Sequence, residues 1–191
     1  MTKARTTVDD RFDAAVGVVL AHEGGFVDDP ADPGAATNWG ISLKTLAALG
    51  DLDGDGYRDG DRDRDGDVDA DDVRALERGD AIAIYRRQWW DRYGYDRVDR
   101  LFIATKLFDL AVNMGPRQAH LIVQRALRAT DQPVAEDGIL GPETLAAINN
   151  APAFELMSAM RSEAAGFYRA LIAKRPKLAR FERGWLSRAY S

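Results

Sequence analysis

Residues 23–41 read EGGFVDDPADPGAATNWGI, and this stretch decides the fold because it joins a predicted helix to a predicted hairpin. Gly24 and Gly25 suit a left-handed cap at the helix end. The Pro- and Gly-rich residues that follow cannot continue a helix, so they favour a short twisted hairpin. Upstream, apolar residues recur at the spacing of an amphipathic helix: Phe12, Ala15, Val16, Val19 and Leu20.

Glu23 is predicted to lie at the C-terminal end of that first helix. The helix dipole is negative there, so we expect the pKa of Glu23 to be raised. A carboxyl that keeps its proton near neutral pH can act as a general acid. Glycoside hydrolysis also needs a second carboxylate, which Asp32 would supply, and the Thr37 hydroxyl would orient the attacking water. On spacing alone, the plainer interpretation is favoured: a surface acid followed by turn residues.

Four later blocks accompany residues 23–41 in the chain. They are AIAIYRRQWW (81–90), LFDLAVNMGP (107–116), DGILGPETL (137–145) and FERGWLSR (181–188). Together the five blocks resemble the lysozyme-like N-acetylmuramidases of glycoside hydrolase family 108, found mostly in phage endolysins. The resemblance implies that Glu23 is the catalytic acid, and that Asp32 and Thr37 match the second carboxylate and the hydroxyl of related phage lysozymes. Within the same stretch, Asn38 and Trp39 are expected to contact the substrate.

Residues 51–72 form an acidic insert with eleven Asp and three Arg, which would repel itself in water without a counter-ion. Its second half fits the calcium-loop template D-x-D-x-D-G, with Gly66 at the turn position. The predicted Ca²⁺ ligands, at positions 1, 3, 5, 7, 9 and 12 of the template, are Asp61, Asp63, Asp65, Asp67, Asp69 and Asp72. The plainer alternative is a solvated acidic loop.

The first half of the insert begins the same calcium-loop template. Its acids are Asp51, Asp53 and Asp55. The template then fails, because arginines stand where the apolar residue and the last ligand belong. We therefore expect one Ca²⁺ in an EF-hand-like or dockerin-like loop, and a second ion is the weaker expectation.

The C-terminal half is predicted to be a helical lobe whose most apolar helix spans 101–114. Asp109 and Asn113 share a face of that helix, and two roles are open for them: substrate binding in a cleft, or hydrogen bonding in the core. His120 is expected at the flank of the next helix, on the surface or capped.

The element DGILGPETL resembles peptidoglycan-binding helical modules, although a structural connector explains it equally well. Aromatic residues after residue 88 are more typical of a core than of a sugar platform: Trp89, Trp90, Tyr93 and Tyr95.

Composition excludes several other classes. There is no cysteine and only two histidines, and the chain has no H-E-x-x-H motif, nucleophile elbow, P-loop or dinucleotide fingerprint. The first residues lack an apolar signal region, so we expect synthesis in the host cytoplasm and action on the wall after release. Residues 158–191 hold eight Lys or Arg against two Glu, so this tail is expected to make weak contact with an anionic envelope.

These observations predict a mainly α (α+β), lysozyme-like fold of two lobes with a small β-hairpin and the inserted calcium loop. The predicted N-terminal lobe is residues 1–98 and contains Glu23 and the insert 51–72. The predicted C-terminal lobe is residues 99–191. We expect the two lobes to pack as one lysozyme-like unit with the cleft between them. The expected reaction is hydrolysis of the β-1,4 bond between N-acetylmuramic acid and N-acetylglucosamine by a monomer that binds a glycan strand and no nucleic acid. Two alternatives stay open: a lytic transglycosylase, and a non-catalytic, calcium-dependent wall-binding module.

Overall fold

The computed structural model describes residues 8–27, 36–51, 54 and 56–191, which are mainly helical with one small antiparallel hairpin. This confirms the predicted fold class. Asp32, Asp53 and Asp55 lie outside the described residues. The α-helices are α1 (Val8–His22), α2 (Leu43–Ala47), α3 (Ala70–Ala75), α4 (Arg78–Tyr85), α5 (Leu101–Met114), α6 (Pro116–Ala129), α7 (Pro142–Asn150), α8 (Ala153–Lys174) and α9 (Glu182–Tyr190). The hairpin consists of β1 (Thr37–Asn38) and β2 (Ile41–Ser42), a π-helix spans Arg86–Asp91, and 3₁₀ turns span Tyr95–Arg97 and Pro176–Phe181.

The chain divides into two compact units. The smaller unit is Leu20–Arg86, and the larger comprises the residues up to Val19 together with Arg87–Ser191. Most of α1 therefore belongs with the C-terminal helices, whereas the predicted boundary lies between residues 98 and 99. The aromatic packing of Phe12 explains this assignment, because its ring lies 5.8 Å from that of Trp90 within the larger unit.

The smaller unit is built around the hairpin and three short helices. Ser42 starts α2 by accepting a hydrogen bond from the backbone N–H of Thr45. At α4, Glu77 and Asp80 make reciprocal capping bonds, so the helix begins at Arg78. Gly79 lies inside this first turn, and the prediction that it separates two helices is wrong for that reason.

The end of α1 also differs from its prediction. Helix α1 stops at His22, and Glu23 is the first residue beyond it, as expected. Neither Gly24 nor Gly25 has a positive φ, so the predicted left-handed cap is wrong. Instead the chain turns directly toward Val27, whose backbone pairs with Thr37.

The core of the larger unit is a cluster of aromatic rings on α1, α5 and the π-helix. The Trp90 ring lies 5.6 Å from Phe108 and 6.2 Å from Tyr95, and all three side chains are buried. Trp90 and Tyr95 are thus core, as the sequence favoured, whereas Trp89 and Tyr93 are half-buried. Helix α5 packs against α6, α6 packs against α8, and α8 packs against α9. In the part of the chain that the structure describes, no helix is both long and apolar enough to cross a bilayer.

A buried ion pair connects α5 to α9 inside this unit. Nη2 of Arg188 lies 2.9 Å from Oδ1 of Asp109, and both side chains are at least nine-tenths buried. Lys106 donates to the backbone oxygen of Arg188 at 2.5 Å, and burial lowers the pKa of Lys106 to about 8 against the opposing charge of Asp109. Removing one member would leave the other charge buried without compensation.

We therefore expect Asp109→Asn to reduce the free energy of unfolding by about 3 kcal/mol, because the Arg188 guanidinium loses its charged partner in a dry environment. Urea denaturation measures this loss. Asp131→Asn is the matched control, since Asp131 is exposed and left-handed (φ 58°), a conformation that Asn tolerates. Equal unfolding midpoints for the two variants would contradict the structural role of the pair.

Candidate functional site

The hairpin tip presents the most constrained backbone near Glu23. Asn38 pairs with Ile41, so Trp39 and Gly40 form a two-residue connection in which both residues have positive φ, 52° and 77°. This is the turn type that matches the twist of a hairpin. A left-handed Trp is strained, and such strain persists only where the surroundings hold it.

Two hydrogen bonds hold Trp39 in that conformation. The Tyr85 hydroxyl donates to the carbonyl of Trp39 at 3.0 Å, and the Trp39 indole N–H donates to the carbonyl of Leu76 at 3.2 Å. Tyr85 is fully buried on α4. The turn is therefore clamped between α4 and the end of α3.

Glu23 packs directly over Gly40. A Cβ built on Gly40 would lie 2.7 Å from both Cγ and Oε2 of Glu23, and 2.4 Å from Oη of Tyr85. The carboxyl of Glu23 and the hydroxyl of Tyr85 thus share the space that a side chain at position 40 would fill. Glu23 itself is half-buried, so its carboxyl is supported on one side while it stays accessible.

The other residues predicted near Glu23 have distinct placements. Thr37 is half-buried in β1 and pairs with Val27 through its backbone. Asn38 is buried, and its amide donates to the carbonyls of Val73 at 3.1 Å and Leu76 at 3.2 Å. The Asn38 side chain therefore joins the hairpin to α3, and the substrate contact predicted for it, as for Trp39, stays a prediction.

Asp109 and Asn113 lie in the larger unit, where both have intramolecular partners. Asp109 is paired with Arg188, and the Tyr168 hydroxyl donates to Oδ1 of Asn113 at 2.6 Å. Of the two roles that the sequence left open, these contacts support the core hydrogen-bonding role. The ion pair could not have been read from the sequence, because its members are 79 residues apart.

The acidic loop brings its predicted ligands into two groups. One carboxylate oxygen each from Asp61, Asp63 and Asp65 lies within 4.8 Å of the others, and the same holds for Asp67, Asp69 and Asp72. Two oxygens bound to one Ca²⁺ at about 2.3–2.6 Å lie at most about 5 Å apart, so each group has the oxygen chemistry and the spacing that fit this ion.

The backbone of the loop is organised by the first and last acids. Asp61 accepts from the N–H groups of Asp65 and Gly66, at 3.1 and 3.0 Å, and Gly66 has a φ of 104°. Asp72 is buried and accepts from the N–H groups of Arg62 and Asp69, at 2.5 and 2.8 Å. The loop thus closes on itself through Asp72, at the start of α3.

The remaining loop carboxylates repel one another. The charge of Asp65 is the main cause that raises the pKa of Asp67. Desolvation, followed by the charges of Asp65, Asp72 and Asp61, raises the pKa of Asp63. A cation would relieve this repulsion.

The first half of the insert makes a turn similar to the one at Asp61. There Asp51 accepts hydrogen bonds from the backbone N–H groups of Gly54 and Gly56.

Tyr85 is the functional candidate that the sequence analysis missed. In the sequence, Tyr85 shares an apolar stripe with Ile82 and Trp89, a pattern that indicates only a core position. Gly40 is a partial signal for the turn itself, because this turn type favours Gly at its second central position, but it does not indicate Tyr85. The partner that clamps the turn is 46 residues away from it, and no local pattern indicates it.

Comparison with known proteins gives consistent results. The family described as glycosyl hydrolase 108 matches residues 16–115, and the one described as a predicted peptidoglycan domain matches residues 118–190. The chain is similar to the solved structure of Brucella abortus SagA, with 29% identity, a TM-score of 0.73, and coverage of 95% of this chain and 90% of that chain. No curated protein matches.

The lysozyme-like, mainly helical fold and the two matched regions define a glycoside hydrolase that degrades peptidoglycan. More than half of the sequence lies within the first match. The chain belongs to glycosyl hydrolase family 108. The family resemblance that the five sequence blocks indicated is therefore confirmed.

Gly40→Ala is expected to reduce the rate of peptidoglycan solubilisation by about 10²-fold, because the new methyl group displaces the Glu23 carboxyl by an ångström or more. Release of soluble fragments from purified sacculi measures the rate. Gly50→Ala is the matched control: Gly50 also has a positive φ, 70°, but nothing lies within 4 Å of its added Cβ. If both variants lose the same fraction of activity, backbone strain alone explains the effect.

Proposed function

We propose that this chain is an N-acetylmuramidase that hydrolyses the β-1,4 bond between N-acetylmuramic acid and N-acetylglucosamine, with Glu23 as general acid. The observation that carries the proposal is the support of the Glu23 carboxyl by the strained Trp39-Gly40 turn and by Tyr85. Strain of this kind clusters at active sites, where it fixes a reacting group. Tyr85 is then a positioning residue, since it acts on Glu23 through the Trp39-Gly40 turn.

The proposed reaction begins with proton transfer. Glu23 protonates the glycosidic oxygen, the bond from that oxygen to C1 of the muramoyl sugar breaks, and positive charge develops at C1. Water adds at C1, and its proton passes to a carboxylate. Asp32 is proposed for that carboxylate or for stabilising the charge, and Thr37 for orienting the water, on the strength of the family resemblance.

A lytic transglycosylase is the second candidate, because it needs only the acid. In that reaction the C6 hydroxyl of the muramoyl sugar attacks C1, and the product is a 1,6-anhydro sugar without a reducing end. Mass spectrometry of the released fragments separates the two reactions, since hydrolysis adds the mass of one water molecule. The non-catalytic wall-binding module is not favoured, because the chain belongs to a hydrolase family.

Glu23→Gln is expected to keep the fold and to lower the rate of reducing-end release by about 10²–10⁴-fold, the usual contribution of a general acid. The assay uses purified sacculi, with circular dichroism to verify the fold. Glu155→Gln is the control, because Glu155 is an exposed acid in the first turn of α8. Near-normal release by Glu23→Gln would refute the catalytic assignment.

We also propose that Ca²⁺ binds the acidic loop at residues 61–72. The two groups of Asp oxygens are hard ligands at calcium spacing, and the turn at Gly66 matches the template. An ion that binds only the folded loop stabilises the unit that carries it, by mass action. A second ion at Asp51, Asp53 and Asp55 would need ligands from outside that incomplete template.

Adding Ca²⁺ at about 100 times its Kd is expected to stabilise the fold by about 2.7 kcal/mol and to raise the melting midpoint by roughly 5–10 °C relative to chelator. Differential scanning calorimetry measures the shift. Asp65→Asn should weaken it because the variant removes a charged ligand, and Asp131→Asn, far from the loop in sequence, should retain it. An unchanged wild-type midpoint would discard the calcium site.

A further inference from the structure

The larger unit contains a polar pocket of about 450 Å³ that the catalytic proposal does not use. One wall is the segment 91–97, which spans the end of the π-helix and the following 3₁₀ turn. The floor and the opposite wall come from His120 on α6 and from residues 138–140. We call this cavity the 91–97 pocket.

The floor of the 91–97 pocket is rigid. His120 is buried, and burial lowers its pKa, so the ring is neutral. Its Nδ1 donates to the carbonyl of Gly138 at 3.1 Å, and its Nε2 accepts from the Tyr95 hydroxyl at 3.1 Å. Both ring nitrogens are therefore occupied, and His120 supports the pocket without being available as a ligand.

The opposite wall is held by Gln124, which is fully buried. Its carbonyl oxygen accepts from the N–H of Gly138 at 2.8 Å, while its amide donates to Asp137 and to the carbonyl of Ile139. Gly138 has a φ of 75°, and a Cβ there would lie 3.0 Å from the carbonyl oxygen of Arg117. These bonds keep the backbone at 138–140 in place and leave the Ile139 side chain 64% exposed beside the pocket.

The rim of the pocket carries charges of both signs on a short stretch of chain. Arg92 and Arg97 provide guanidinium groups, and Asp91 and Asp96 provide carboxylates. The Arg92 guanidinium lies over the ring of Tyr93, 5.8 Å from its centroid. A ligand that bears both a carboxylate and an ammonium group would find a complementary partner for each.

We propose that the 91–97 pocket binds the stem peptide of peptidoglycan at a zwitterionic diamino acid. The inference rests on the proposed function, because it takes peptidoglycan as the polymer that the chain degrades. A glycan strand is uncharged at its ring hydroxyls and does not require a rim of both signs. A phosphate polymer would be attracted by the arginines but repelled by Asp91 and Asp96. The stem peptide supplies carboxylates, a free amino group and short apolar side chains for Ile139.

Binding at this pocket would tether the enzyme to peptide-bearing strands. A second contact on the same polymer raises the effective concentration of the scissile bond for the catalytic residues. The rate of sacculus cleavage should therefore depend on the pocket, whereas the rate of cleavage of a peptide-free glycan should not.

Isothermal titration calorimetry on the full-length Glu23→Gln protein tests the pocket, since this variant leaves the probes uncleaved. The probes are a soluble stem tetrapeptide with meso-diaminopimelate, the same peptide with its amino groups acetylated, and the neutral oligosaccharide chitotetraose. We expect the free tetrapeptide to bind, and Arg92→Glu or Asp96→Lys to weaken it by about tenfold. Arg169→Glu is the matched control, because Arg169 is exposed on α8 and does not line the pocket.

The inference would be overturned by no binding of the free tetrapeptide, by equal affinity in Arg92→Glu and Arg169→Glu, or by chitotetraose displacing the peptide. Tight binding of the acetylated peptide would also overturn it, because the ammonium would then be unnecessary. The proposed catalytic function is judged separately, by reducing-end release with Glu23 intact. If that release is normal while the tetrapeptide fails to bind, the pocket assignment falls and the muramidase assignment stands.

Discussion

The arrangement around Glu23 depends on one close approach, between its carboxyl and the backbone of Gly40. Only a residue without a Cβ leaves room there for both Glu23 and the Tyr85 hydroxyl. The turn that makes this approach possible needs positive φ at Trp39 as well, where a bulky side chain is disfavoured. The hydrogen bonds from Tyr85 and to Leu76 offset that strain, so the position of the acid is set by α4 and α3 together.

The acidic loop is connected to the same arrangement through α3. Asp72 closes the loop and caps the first turn of α3, and the carbonyls at the other end of that helix accept from the Asn38 amide. Gly60 anchors the loop against α2, since a Cβ there would lie 2.5 Å from the carbonyl oxygen of Leu46. Contacts along α3 and Asn38 therefore connect the acidic loop to the hairpin that supports Glu23.

Local patterns in the sequence predicted the first helix and the helix at 101–114 well, because the hydrophobic period acts over a few residues. They also located Glu23 at the end of α1. The misses share a physical cause. His120 is buried because Tyr95 and Gly138 satisfy its two nitrogens, and neither partner can be recognised from the periodicity of α6. The helix start at Arg78 follows from a reciprocal cap that outweighs the cost of one glycine. Long-range partners thus decided what local propensity could not.

Both units hold buried polar groups. In the larger unit Arg188 pairs with Asp109 and Gln124 with Thr144, while the buried indole N–H of Trp90 has no hydrogen-bond partner among the described residues. In the smaller unit the buried Asn38 amide donates to the carbonyls of Val73 and Leu76. The smaller unit also holds the left-handed Trp39 turn and a loop in which the charge of Asp65 raises the pKa of Asp67. Backbone strain at Trp39 and charge repulsion in the loop therefore lie in the same unit as Glu23.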